Sequence, residues 1–117
     1  MSNYKLYMKR LFFQEAYNQA LKSEMNFNHG AVLIHRGKII GRGYNTYYNT
    51  NSNEKRSLHA EVSAILDGLK RIKAEDLKRC ELVIIRVNSQ GKCVNSKPCQ
   101  NCTNFIIKHS IKKVYYS

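Results

Sequence analysis

The sequence predicts a three-layer α/β sandwich in which a minimal four-stranded mixed sheet lies between helices. Three observations support it. Apolar residues recur at three- and four-residue steps across residues 4–25, the period of an amphipathic helix. Short, nearly continuous apolar runs at residues 31–34 and 82–85 suit strands covered on both faces. The elements also alternate in the order helix, hairpin, helix, strand, helix, strand. Helical crossovers between strands should set the last three parallel.

The first helix carries Tyr4, Tyr7, Met8, Leu11, Phe12, Phe13, Ala16, Tyr17, Ala20 and Leu21 on one broad apolar face, which is expected to pack in the core. Residues 26–30 break that pattern as a turn. Residues 31–35 form a strand, Arg36-Gly37-Lys38 a tight connection, and residues 39–44 a returning strand, together an antiparallel hairpin. Gly41 and Gly43 strip side-chain bulk from one face of that second strand, so another backbone or a ligand can approach closely. Residues 45–56 are the most polar stretch, with Asn45, Asn49, Asn51 and Asn53 interleaved with Tyr47 and Tyr48. They read as a surface loop, or as a lip over a site in which asparagine meets base edges and tyrosine stacks.

A second helix should run over residues 58–69 with Ser57 as its N-cap, followed by a charged connector at 70–79. Residues 82–87 form a buried-type strand, and residues 88–97 are irregular. Pro98 suits the first position of a third helix at 99–108. Residues 111–116 form the last strand, where Lys112 and Lys113 guard an exposed edge.

With 117 residues, 43% of them hydrophobic, the chain is expected to fold as one domain over residues 1–117. The apolar runs are too short to span a bilayer. Neither a signal peptide nor a membrane anchor is expected, which places the chain in the reducing cytoplasm. Twenty Lys and Arg against eight Asp and Glu leave a net charge of +12. A surplus of this size attracts phosphates, and points to an anionic substrate or a nucleic acid. The alternative is that excess lysine serves solubility.

Two short motifs carry chemistry. His59-Ala60-Glu61 opens the second helix and sets a metal ligand beside a general acid/base. Cys99 and Cys102, one helical turn apart in Pro98-Cys99-Gln100-Asn101-Cys102, can reach one ion, and a helix N-terminus favours the ligating thiolate. One histidine and two cysteines make three protein ligands and leave a fourth tetrahedral position for water, the mark of a catalytic zinc. The competing readings are a redox pair or half of a zinc ribbon. No second Cys-x-x-Cys completes a ribbon, and a redox pair leaves His59 and Glu61 without a role. Cys80 and Cys93 read as ordinary small residues. His29, His35 and His109 receive no role, and His29 is expected at a surface turn.

Together these motifs resemble the zinc-dependent cytidine and deoxycytidylate deaminase superfamily. The resemblance rests on His59-Ala60-Glu61 and Pro98-Cys99-x-x-Cys102, with the strand pair leading into Gly43-Tyr44-Asn45 and Ile111-Lys112-Lys113-Val114 in support. It implies a cytidine deaminase-like fold and Zn2+ held by His59, Cys99 and Cys102. It also implies Glu61 as proton shuttle, and substrate contacts from Asn45 and the Ala60 backbone. The implied substrate is a cytosine-containing nucleoside, a nucleotide such as dCMP, or a nucleic acid, and the implied assembly is a homo-oligomer. His59 stands where free-cytidine deaminases carry cysteine, which leans toward the deoxycytidylate and nucleic-acid branches. Lys97 stands where bacterial-type tRNA adenosine deaminases carry glutamate. Adenosine-to-inosine deamination of tRNA is therefore the alternative activity, and a non-catalytic zinc-stabilised nucleic-acid-binding module is a third reading.

Overall fold

The computed structural model describes residues 3–25, 27–49, 51–96 and 99–117. Its elements run α1 (Asn3–Ala20), β1 (Asn28–His35), β2 (Lys38–Tyr44), β3 (Thr46–Asn49), β4 (Lys55–Leu58) and α2 (Ala60–Gly68). After a 3₁₀ helix (Ala74–Arg79) come β5 (Cys80–Val87), β6 (Cys93–Val94), α3 (Gln100–Lys108) and β7 (Lys113–Tyr116).

Strand alternation divides the core into two layers. Ala31, Leu33, Leu82 and Ile84 point to one face and pack with Ala60, Ala64 and Ile65 of α2 and Ile106 of α3. Val32, Ile34, Val83, Ile85 and Val87 point to the other, against Ala16 and Ala20 of α1. Residues covered on both sides need no polar face, which is why β1 and β5 read as unbroken apolar runs. The expected three-layer sandwich is present.

Its sheet differs in detail. β1 pairs antiparallel with both β2 and β5, and β5 pairs parallel with β7. β2 thus runs in the same direction as β5 and β7, as expected of the last three strands, but β1 separates it from them. The two-residue β6 pairs with Arg86 and Val87 beyond the end of β7, making a fifth strand where four were expected. The hairpin turns at Arg36 and Gly37, whose φ angles of 52° and 76° match the twist that a two-residue connection needs.

Four other boundaries move. α1 stops at Ala20, short of residue 25, because Ser23 bends the chain: its hydroxyl donates to Asn45 O at 2.8 Å and accepts from Met25 N–H at 3.2 Å. Residues 46–58, read as a polar loop, form a separate antiparallel ribbon of β3 and β4. Ser57 pairs with Tyr47 in that ribbon, so it is not the N-cap of α2; that position falls to His59. The charged connector contains the 3₁₀ helix, with Leu77 buried in its centre. Lys97, Pro98 and the side chains of Tyr4, Tyr7 and Met8 lie outside the described residues.

Gly41 and Gly43 work as their sequence suggests. A methyl group at either would overlap the backbone of Ala64, and at Gly43 it would also sit 2.7 Å from Ala60 O. Helix α2 therefore lies directly on the backbone of β2, fixing the height of its first turn above the sheet.

Candidate active site

Two helix N-termini converge at one end of the sheet. His59 is the N-cap of α2 and Cys99 the N-cap of α3; both backbones are extended there, and neither side chain caps its own helix. The usual N-cap side chain folds back onto the helix amides. Here both turn outward to each other: His59 Nδ1 lies 3.0 Å from Cys102 Sγ and 3.7 Å from Cys99 Sγ. The three donor atoms all fall within 4.8 Å of one another.

This donor set fits zinc. Zinc bonds of about 2.0–2.1 Å to nitrogen and 2.3 Å to sulfur put tetrahedral N···S neighbours roughly 3.6 Å apart. The distances of 3.0 and 3.7 Å bracket that spacing. Both helix N-termini also aim their positive dipole ends at the thiols, favouring the thiolate form that zinc binds. Against that, burial first, then the charge of Glu61 and the nearby Cys99, push the Cys102 thiol well above its ordinary range. A cation at the centre of the cluster offsets this opposition by displacing the proton.

Glu61, in the first turn of α2, is 5% exposed. It borders an open cleft of about 340 Å³, whose lining includes His59, Ala60, Cys99, Asn45 and His29. Asn45 is buried and braces the cleft wall. Its Oδ1 accepts from His29 N–H at 2.8 Å, and its Nδ2 donates to Phe27 O. Its backbone N–H also donates to His29 O at 3.2 Å. All six residues singled out from the sequence therefore meet here: His59, Cys99 and Cys102 as a cluster, and Glu61, Ala60 and Asn45 around it.

His29 was expected at a surface turn and instead lines the cleft at the start of β1. Burial lowers its pKa, partly opposed by the charge of Glu61. No motif marks it; only its place one residue before the glycine that opens the apolar run hinted at an inward position. Ser96 was also missed. Its hydroxyl donates to Ile84 O at 3.0 Å and its N–H to Ser117 O at 2.9 Å, anchoring the segment that leads to Cys99. Serine in an irregular stretch gives no sequence signal for such a role.

The fold and the cluster define the class: an α/β sandwich carrying a His/Cys/Cys zinc site beside a buried glutamate. The chain belongs to the family described as the cytidine and deoxycytidylate deaminase zinc-binding region, whose profile it matches over residues 5–117. A tRNA-specific adenosine deaminase from Aquifex aeolicus is 26% identical over 113 residues, covering 97% of this chain and 65% of that protein. The chloroplastic tRNA(adenine(34)) deaminase of Arabidopsis thaliana is 29% identical over 108 residues, 91% of this chain and 7% of that protein. The chain thus spans less than two thirds of either. Among solved structures, the apo dCMP deaminase of cyanophage S-TIM5 superposes with a TM-score of 0.66 at 22% identity, covering 94% of this chain and 82% of that one. No helix among the described residues is long and apolar enough to cross a membrane.

Proposed function

We propose that this protein is a zinc-dependent hydrolytic deaminase that converts a cytosine base, in a nucleoside, a nucleotide such as dCMP, or a nucleic acid, to uracil and ammonia. The observation that carries the reading is the buried carboxylate of Glu61 beside the His59, Cys99 and Cys102 cluster in one open cleft. A purely structural zinc site has no need of that carboxylate, which counts against the non-catalytic module.

Bound zinc supplies a Lewis-acid centre that lowers the pKa of water from about 16 toward ~7. The chain's own part is proton movement. Glu61 takes a proton from the attacking water, delivers it to the ring nitrogen, and later passes one to the departing amine. Water and the C–NH2 group thereby become C=O and NH3, with every proton returned. Asn45, through the donor and acceptor sites its bracing bonds leave over, and the backbone at Ala60 orient the base. His29 closes the wall of the cleft beside them.

The relatives favour a second reading, adenosine-to-inosine deamination of tRNA. Two tRNA deaminases match across 91–97% of the chain, and a charge of +12 suits a polyanion. Cytosine and adenine both present an N=C–NH2 unit, so the same chemistry serves either. Incubating zinc-loaded protein with dCMP, cytidine, single-stranded DNA and tRNA, then assaying uracil and inosine, separates the two. Absence of both products would refute the deaminase reading. A homo-oligomer in the cytoplasm completes the proposal; β7, which pairs only with β5 among the described residues, and exposed Ile107 and Tyr116 support self-association.

A further inference from the structure

Few large apolar side chains in this protein are exposed, and two of them stand at the cleft. Phe27, 58% exposed, lies just before β1; Tyr47, 47% exposed, lies on β3; both line the cavity that contains Glu61. An exposed aromatic costs solvation that a solitary surface position does not repay, so two around one opening mark a binding surface.

Both rings are held in place. The Phe27 carbonyl accepts from Asn45 Nδ2, and the Arg86 guanidinium stands 4.4 Å from the Phe27 ring centroid. The buried Nε of Arg86 has no hydrogen-bond partner, and no carboxylate pairs with its guanidinium among the described residues. Its positive charge is therefore uncommitted beside the ring. Tyr47 is fixed by the ribbon, directly opposite Ser57, which also lines the cleft. Alternation along β3 sends Tyr48, paired with Arg56, to the ribbon's other face.

We infer that Phe27, backed by Arg86, and Tyr47 form a stacking clamp for unpaired bases next to the target base, so that the substrate is a single strand of nucleic acid and not a free nucleotide. Its place in catalysis rests on the deaminase reading above. Aromatic rings stack any base face, and a net charge of +12 complements a phosphate chain. A free nucleotide already held by Asn45 and the Ala60 backbone leaves two exposed rings with nothing to cover them.

The test is fluorescence anisotropy on zinc-loaded Glu61→Gln protein, which stops turnover. The probes are a labelled oligothymidine of about eleven nucleotides with one central cytosine, and the same strand with abasic sites flanking that cytosine. Phe27→Leu and Tyr47→Ala should each weaken binding of the intact strand on the order of tenfold, and should matter little for the abasic strand. Tyr48→Ala, on the other face, should change affinity no more than about twofold. Equal affinity for the two strands, or no effect of Phe27→Leu and Tyr47→Ala, overturns the clamp. If the stacking pattern holds but wild-type protein releases no ammonia from any substrate, the deaminase reading fails and the clamp stands. If wild type deaminates dCMP as well as the strand and neither substitution alters either rate, the clamp fails and the deaminase reading stands.

Discussion

Replacing Gly43 by alanine tests whether the contact between α2 and β2 sets the active site. The added methyl would overlap the Ala64 backbone nitrogen, and would sit 2.7 Å from Ala60 O and 2.8 Å from Ser63 Cβ. Carbon contacts settle near 3.5 Å, so the first turn of α2 has to retreat by roughly 0.5–1 Å. Overpacking costs about 1–3 kcal/mol. Because most of the opposing atoms are backbone and cannot rotate away, the upper half of that range applies, a fall in Tm on the order of 10 °C for a domain of this size. Metal–ligand distances tolerate only about 0.2 Å. His59 immediately precedes the displaced turn, so zinc affinity should drop about 10- to 100-fold. Thermal unfolding of the metal-free protein isolates the packing cost, and chelator competition reads the zinc affinity. Gly37→Ala is the control. At φ +76° with nothing within 4 Å, it should cost only about 1 kcal/mol of turn strain and leave zinc binding unchanged. A Gly43→Ala protein with unchanged Tm and zinc affinity would refute the account of how α2 is placed.

Three further outcomes are expected. Glu61→Gln should retain one zinc per chain by metal analysis and lose at least about a hundredfold in turnover; retained ammonia release would remove Glu61 from the mechanism. Asp67 accepts from Arg42 N–H at 2.9 Å and pairs with Arg71 at 3.2 Å; burial raises its pKa, but these bonds outweigh it and leave the carboxyl below its ordinary value. A depressed folded pKa stabilises above the unfolded value near ~3.9 and is lost as pH falls through the folded one. Asp67→Asn should therefore cost about 1–2 kcal/mol at pH 7 in urea unfolding, with the deficit shrinking below pH ~4; a deficit independent of pH would contradict the charge argument. Burial first, then Asp76, pushes the Cys80 thiol up to about 11, whereas Cys93 is exposed. A thiol reagent at pH ~8 should label Cys93 alone in zinc-loaded protein and add Cys99 once zinc is removed, while Cys80 stays unlabelled until unfolding.

Much of the fold was legible because burial leaves a periodic trace. The continuous runs in β1 and β5 revealed a sheet covered on both faces, and Gly41 and Gly43 marked where α2 would lie. The metal cluster was legible from spacing, since His59 and the Cys99–Cys102 pair each open a helix. What escaped depends on long-range hydrogen bonds. The β3–β4 ribbon is polar on much of its surface and too short to show alternation, so it resembled a loop, and its pairing moved the cap of α2 from Ser57 to His59. His29 reaches the cleft through bonds to Asn45, sixteen residues away, a relation no local pattern encodes. Ser96 is tied to Ile84 and Ser117 in the same manner.

The central claim is that this cleft replaces an amino group on a nucleobase with oxygen from water. The most direct measurement is mass spectrometry of the base recovered after incubating zinc-loaded protein in 18O-labelled water with dCMP, a cytosine-containing single strand and tRNA. The account predicts uracil carrying one labelled oxygen, matched by one ammonia per turnover, and no product from Glu61→Gln. Unchanged bases in all three substrates, or product without the label, would contradict it.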